Sequence, residues 1–298
     1  MPHPFKRIII LYNPVSTGDS QQNAEDLKQK LTHSLSKQTK IELFPTQYAG
    51  HAEEVGAKYG SASETLLVSS SGDGGYNELI NGVLAVKNNT AAVCVLPSGN
   101  ANDHYHATEG SDVAQMIIHG KTRMIDVLQI AGTKDGQQWS RYAHSYIGAG
   151  VTAYIGKKLT EADLNPINEK WLVLKYLVKF GHVSLKVDSW GHKRFYRYGS
   201  FVIGNIDKMS KIIKLDKNSS ITDGKLEVYA VRSSSFSGLL KAVVKQTISN
   251  SKLTDRTDEV KIVSKKRLEV QCDGEVFLLD GNKLITTVVE PAAIRTIH

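Results

Sequence analysis

Leu66-Leu67-Val68-Ser69-Ser70-Ser71-Gly72-Asp73-Gly74-Gly75-Tyr76-Asn77-Glu78-Leu79-Ile80 places a glycine cluster between two apolar segments. Leu66–Val68 reads as a buried strand, while Leu79, Ile80, Val83 and Leu84 recur at helical spacing. The glycines therefore fall at a strand-to-helix turn. There, unpaired N–H groups and the positive end of the helix dipole can meet an anion. Asp73, in the middle, repels a bare phosphate and so argues for a metal or a proton partner. Glycine clusters are also plain loop punctuation, and the stretch alone does not decide between the two.

Working outward, the strand–helix alternation repeats. Lys6–Tyr12, Ile41–Pro45, Thr65–Ser70 and Ala91–Leu96 have the composition of strands. Helices are expected over about Gln21–Leu35, His51–Tyr59 and Asn77–Lys87. Such alternation implies a parallel sheet covered by helices on both faces, with ligands at the C-terminal ends of its strands. After about Ile125 the pattern changes. Tyr142–Ile147, Val183–Val187, Ser200–Ile203, Leu226–Val231, Leu268–Gln271 and Ile285–Val289 are β-branched or alternating, and glycine and asparagine turns separate them. An antiparallel β-sandwich is expected there, interrupted by helical segments at Lys170–Phe180 and Gly238–Asn250. The predicted fold is a Rossmann-like α/β N-terminal domain over 1–125 and a C-terminal antiparallel β-sandwich over 126–289.

Composition narrows the partners without choosing one. The 298 residues suit one large domain or two ordinary ones, and 41% hydrophobic content supplies a core. Cys94 and Cys272 are far apart, so a disulfide framework is not expected. The run Ile8–Leu11 is too short for a signal-peptide core, and no apolar run approaches membrane-spanning length. These features predict a soluble, cytoplasmic chain. Its net charge of +7 fits nucleotide phosphates, an anionic membrane surface or nucleic acid.

The glycine stretch, with Asn77-Glu78 and Asn81-Gly82, resembles the GGDGT-xNE-xxNG signature of the diacylglycerol kinase catalytic family. That family includes bacterial lipid kinases and sphingosine kinases, and it is distantly similar to NAD kinase and phosphofructokinase. Other segments resemble its motifs in the same order. Tyr12-Asn13-Pro14-Val15-Ser16-Thr17-Gly18 is similar to its NPxSG loop, and Thr46 with Gly50-His51-Ala52 to its nucleotide-side threonine and GHA helix start. Leu96-Pro97-Ser98-Gly99-Asn100-Ala101-Asn102-Asp103 is similar to PxGTxND, Asp223-Gly224-Lys225-Leu226 to DGxL, and Cys272-Asp273-Gly274-Glu275 to VDGE.

The resemblance implies ATP and Mg²⁺ as cofactors and return of about 290–298 to the first sheet. It implies a nucleotide site at Asn13, Pro14, Ser16, Thr46, Gly72, Asp73, Gly74, Gly75, Asn77, Glu78, Ser98 and Asn100. Asp73 would bind the Mg²⁺ carried by ATP or orient the acceptor, and Glu275 would be the general base. Asp223 would hold a structural Mg²⁺ with backbone carbonyls of Ser220 and Lys225. Asp223-Gly224 and Asp273-Gly274 also read as simple turns.

Three departures bear on substrate choice. Gly75 stands where the motif has threonine, which removes a hydroxyl from the phosphate site. His106 falls at a commonly basic position, and Lys208-Met209-Ser210-Lys211 replaces a glycine triplet. His104 and His106 read as surface or phosphate-facing groups, since no third ligand stands at metal spacing. The leading expectation is an ATP-dependent kinase of diacylglycerol or a similar lipid. Alternatives are an NAD-kinase-like enzyme of a soluble substrate and a nucleotide-binding regulatory paralogue without activity. The dispersed basic residues argue against nucleic acid. Glu169–Phe180, with Trp171, Lys175 and Lys179, reads either as a helix that packs its apolar side on the β domain or as one that borders an acyl-chain cleft or touches headgroups of a membrane at which the chain acts peripherally. A homodimer is compatible with this reading.

Overall fold

The computed structural model describes residues 3–16, 19–99, 102–107, 112–151, 153–154, 182–206, 208–209, 213–214, 219–232 and 254–298. The expected helices at Lys170–Phe180 and Gly238–Asn250 lie outside the described residues, as does Asn100. The chain divides into two compact units, Met1–Val127 with Pro291–His298, and Leu128–Glu290.

The first unit alternates strand and helix: β1 (Arg7–Tyr12), α1 (Ser20–Ser34), β2 (Lys40–Pro45), α2 (His51–Tyr59), β3 (Thr65–Ser71), α3 (Asp73–Leu84), β4 (Ala92–Pro97), α4 (Asp103–Ala107) and α5 (Val113–His119). The strands run parallel in the order β2-β1-β3-β4. Ile8 to Leu11 are all buried, as are Leu66 to Val68, because a central parallel strand is covered on both faces. Each such side chain contributes about 1.5–3 kcal/mol by leaving water. Helix α1 buries Ala24, Leu27 and Leu31, which share one face. Chain order reverses between β1 and β3, so the crevice outside their C-terminal ends is the expected ligand position in such a sheet.

The second unit is antiparallel. Its strands are β6 (Gln137–Ala143), β7 (Tyr146–Gly150), β8 (Val183–Val187), β9 (Tyr196–Tyr198), β10 (Ser200–Gly204), short β11 (Lys208–Met209) and β12 (Ile213–Lys214), then β13 (Leu226–Val231), β14 (Thr254–Thr257), β15 (Glu259–Ser264), β16 (Leu268–Cys272) and β17 (Glu275–Leu279). One six-stranded sheet has the order β14-β13-β10-β7-β16-β17. Two long strands, β5 (Thr122–Lys134) and β18 (Leu284–Ile297), run from one unit into the other. In the second unit β18 pairs with β15, β15 with β8, and β8 with β9, while β5 pairs with β6. Ile130, Val187 and Ile262 from this set pack with Ile147, Phe201, Val228 and Val270 of the six-stranded sheet in one core. In the first unit, the end of β18 adds beside β4, with Arg295 opposite Ala92.

Candidate nucleotide site and the second-unit hairpin

Parallel pairing brings the loops after β1, β2, β3 and β4 to one end of the sheet. Asn13 closes a turn, its Oδ1 accepting from Val15 N at 3.1 Å and its carbonyl from Ser16 N at 3.2 Å. Pro14 and Val15 at the tip are exposed. Thr46 donates both its amide and its hydroxyl to the Tyr12 carbonyl, at 2.8 and 3.2 Å. The loops after β1 and β2 are thus tied together.

A buried polar cluster ties the other loops. Ser20 Oγ donates to the Ser70 carbonyl at 2.5 Å, and Ser70 Oγ donates to the Ser20 carbonyl at 2.7 Å. Ser70 and Ser98 hydroxyls meet at 3.0 Å, and Asn23 Nδ2 donates to Ser98 Oγ at 2.9 Å. Satisfied buried networks of this kind fix loop positions. Ser98, expected at the nucleotide, therefore joins α1 to the loop after β4. Gly72 and Gly99 touch through their backbones. A Cβ on Gly99 would stand 2.5 Å from Gly72 Cα, so glycine is needed for the approach.

Asp73 opens α3, and its carboxylate also caps α4. Oδ2 accepts from Asp103 N at 3.1 Å and Oδ1 from His104 N at 3.2 Å. An anionic cap on a helix N-terminus is favourable, and here it locks the third loop to the fourth. The sequence reading made His104 a surface or phosphate-facing group; it is instead buried, with its ring 5.1 Å from that of Tyr76. The amphipathic register of a five-residue helix is too short to have shown this. His106 is exposed. Asn77 is fully buried and accepts from Asn81 Nδ2 through its carbonyl and its Oδ1. Gly82 serves packing: a Cβ there would land inside the Glu53 carbonyl of α2. Glu78 is partly exposed one turn into α3, and Gly74 and Gly75 complete its first turn.

In the second unit, Cys272 pairs with Glu275 across a two-residue turn. Asp273 and Gly274 have φ of +46° and +104°, the left-handed pair that tight hairpins require. Asp273 is buried, and its carboxylate accepts from the amides of His144, Ser145 and Tyr146 at 2.6, 3.1 and 2.9 Å. Three amide donors anchor the turn to the segment before β7. Glu275, next along, is partly exposed and accepts from Arg141 Nη2 at 2.8 Å. Burial pushes the Cys272 thiol well above its ordinary range, and the Asp273 charge adds to this.

At the other aspartate–glycine turn, Gly224 has φ +67° and Asp223 Oδ1 accepts from Lys225 N at 2.9 Å. The Arg256 guanidinium bonds Asp223 Oδ2, and the Ser220 hydroxyl meets that of Thr222 at 3.1 Å. No group of three or more histidine, cysteine, aspartate or glutamate side chains at metal-binding distance occurs among the described residues. Ser20, Asn23, Ser70 and Arg256 carried no sequence signal of their roles, since each acts on residues far along the chain.

Comparison with known proteins gives a consistent result. Residues 7–130 match the family model of the diacylglycerol kinase catalytic domain. The chain is 23% identical over 290 residues to a diacylglycerol kinase of Bacillus subtilis (strain 168), covering 91% of this chain and 90% of that protein. It is 24% identical over 288 residues to the diacylglycerol kinase of Staphylococcus aureus (strain MRSA252), covering 91% and 86%. In fold, it resembles a diacylglycerol kinase from Bacillus anthracis str. Sterne with a TM-score of 0.72 at 17% identity, over 100% of this chain and 98% of that one. Yeast NADH kinase complexed with NADH shares the fold with a TM-score of 0.50 at 14% identity, over 99% and 83%.

Proposed function

With residues 7–130 matching the diacylglycerol kinase catalytic domain, we propose that this chain is an ATP-dependent lipid kinase. It would transfer the γ-phosphoryl group of MgATP to a hydroxyl of diacylglycerol or a similar lipid at a membrane surface. The observation that carries the reading is the junction of the loops after β3 and β4. Gly72 and Gly99 meet there without side chains, and Asp73 spans from one loop to the other. A phosphate chain needs such a surface of backbone amides, and phosphoryl transfer is mainly positioning and charge stabilisation.

In this reading Asn13, Pro14, Ser16 and Thr46 border the nucleotide, and Asn100 is assigned to it from its place in the motif alone. Asp73 faces the Mg²⁺ that arrives with ATP, where a fixed carboxylate orients the metal-bound phosphates. Glu275 removes the acceptor hydroxyl's proton as the new P–O bond forms and ADP leaves. Arg141 keeps its carboxylate oriented for this step.

The test is ATP consumption with vesicles containing diacylglycerol, other lipid alcohols or none, with and without Mg²⁺, with phosphorylated lipid detected directly. Mg²⁺-dependent phosphorylation of a vesicle lipid is expected. Binding of MgATP with no phosphorylated lipid would make the chain a regulatory paralogue, and phosphorylation of NAD in place of lipid would make it a soluble-substrate kinase.

A further inference from the structure

The glycine loop departs from its family's motif at two positions that touch. Gly75 stands where the motif has threonine, and Ser71 stands where it has its first glycine. A Cβ on residue 75 would lie 2.8 Å from both Cβ and Oγ of Ser71. That is too close for both positions to carry side chains with this backbone. The Ser71 side chain thus fills the room that a side chain at 75 would take. Its hydroxyl donates to the Gly72 carbonyl at 3.0 Å and meets Ser69 Oγ at 2.8 Å.

We infer that Ser71 carries, from the end of β3, the hydroxyl that the motif carries on α3, and turns its proton from the Gly72 carbonyl to the phosphates when the nucleotide binds. The inference rests on the nucleotide reading above. The two departures are then one exchange, Gly-x-x-x-Thr becoming Ser-x-x-x-Gly, and not the loss of a ligand. Ser71→Gly, Gly75→Thr and the double variant test it by melting temperature and MgATP affinity. Ser71→Gly should melt like wild type but bind MgATP about tenfold more weakly, the effect of one hydrogen bond to a charged group. Gly75→Thr alone should melt several degrees lower, since overpacking forces the loop to shift. The double variant should recover both properties. A Gly75→Thr protein that melts and binds like wild type, or a double variant no better than Ser71→Gly, overturns the exchange. Wild-type protein that binds no MgATP overturns the nucleotide reading and the hydroxyl's role with it, whereas the melting comparison stands or falls on packing alone.

A second inference rests on the 220–225 turn and is independent of the kinase reading. A hard cation there would need Asp223 with open oxygen donors around it. One carboxylate oxygen instead accepts from Lys225 N, and the other meets the Arg256 guanidinium, whose positive charge stands where a cation would have to sit. Arg256 also lies 3.5 Å from Glu227, its cross-strand partner, whose buried carboxylate accepts from Ser219 Oγ at 2.8 Å. These residues do not fit a resident Mg²⁺. The geometry points to Arg256 as an internal replacement for the cation, its guanidinium reaching from β14 to a carboxylate of the turn and a carboxylate of β13.

Metal content and melting curves test this. Purified protein should carry no stoichiometric divalent metal, and its melting temperature should ignore EDTA and millimolar Mg²⁺, because a ligand absent from the folded state cannot stabilise it. Arg256→Ala should melt about 5–10 °C lower, having taken the positive charge away from two carboxylates, one of them buried. Arg256→Lys, which keeps the charge without the fork, should lie between. A saturable rise in the wild-type melting temperature with Mg²⁺ that Asp223→Asn abolishes would overturn the replacement. So would an Arg256→Ala protein as stable as wild type.

Discussion

In the proposed reaction Asp73 and Glu275 have different roles, and their variants should separate them. Asp73→Asn keeps an acceptor for one α4 amide but loses the anionic cap, so it should cost only about 1 kcal/mol of stability. Turnover should fall by about 10²–10³-fold, the scale of losing a positioned charge at the transferring phosphate. Calorimetric melting beside a steady-state assay reads both, and near-wild-type turnover would remove Asp73 from the mechanism. Glu275→Gln keeps the hairpin and one acceptor for Arg141, while turnover should drop by about 10²–10⁴-fold with ATP affinity unchanged. Weaker ATP binding with normal turnover would reverse that assignment. The two thiols should be inert. Cys94 and Cys272 are both buried and free, and burial raises both thiols far from ionisation. Iodoacetamide at pH 8 should label neither until the protein unfolds; rapid labelling of native protein would show that one is exposed.

At the scale of elements, glycine does two unlike jobs that the sequence wrote alike. Gly72 and Gly99 let two loops touch, whereas Gly56 and Gly82 let α2 and α3 pack backbone to backbone. Gly82→Ala should therefore destabilise the first unit by about 2–3 kcal/mol through overpacking, while bound nucleotide restores little of it. Gly72→Ala, whose Cβ would meet Gly99 Cα at 3.3 Å and push that loop by a few tenths of an ångström, should cost less stability than Gly82→Ala and weaken nucleotide binding. Urea titrations with and without MgATP distinguish the two, and equal effects in both would refute the division. The motif order was legible because each loop follows its own strand, and local apolar periodicity sets those strands. The serine–asparagine cluster was not legible, because Asn23 finds Ser98 75 residues away and only the folded sheet brings them together. Arg256 was hidden for the same reason: strand register, 33 residues from Asp223, makes it a partner. His104 read as a surface or phosphate-facing residue because α4 has too few turns to display a buried face.

For the whole molecule, the consequential feature is that the first unit is discontinuous in sequence. Its sheet ends in β4 until the last residues of β18 add beside it, with Thr296 Oγ1 donating to the Val93 carbonyl at 2.9 Å. Ile294 and Ile297 are buried there. Removing 291–298 exposes a hydrophobic strand edge and should destabilise the first unit more than the second. Hydrogen exchange by peptide should show faster exchange in 92–97 than in 226–231, and unchanged protection across 92–97 would contradict this.

That discontinuity also has a temporal meaning. A ribosome emits Met1–Val127 before Leu128–Glu290 and Pro291–His298 only after it, so the early unit waits for the whole late unit before its sheet is complete. At ordinary translation speeds the interval is roughly ten to thirty seconds. Throughout it, the nascent chain offers β4 with one open side, a surface suited to chaperone capture or to mispairing between neighbouring polysomes. Synonymous codons that slow the middle of the message should lengthen that exposure and lower the yield of folded protein without changing a single residue.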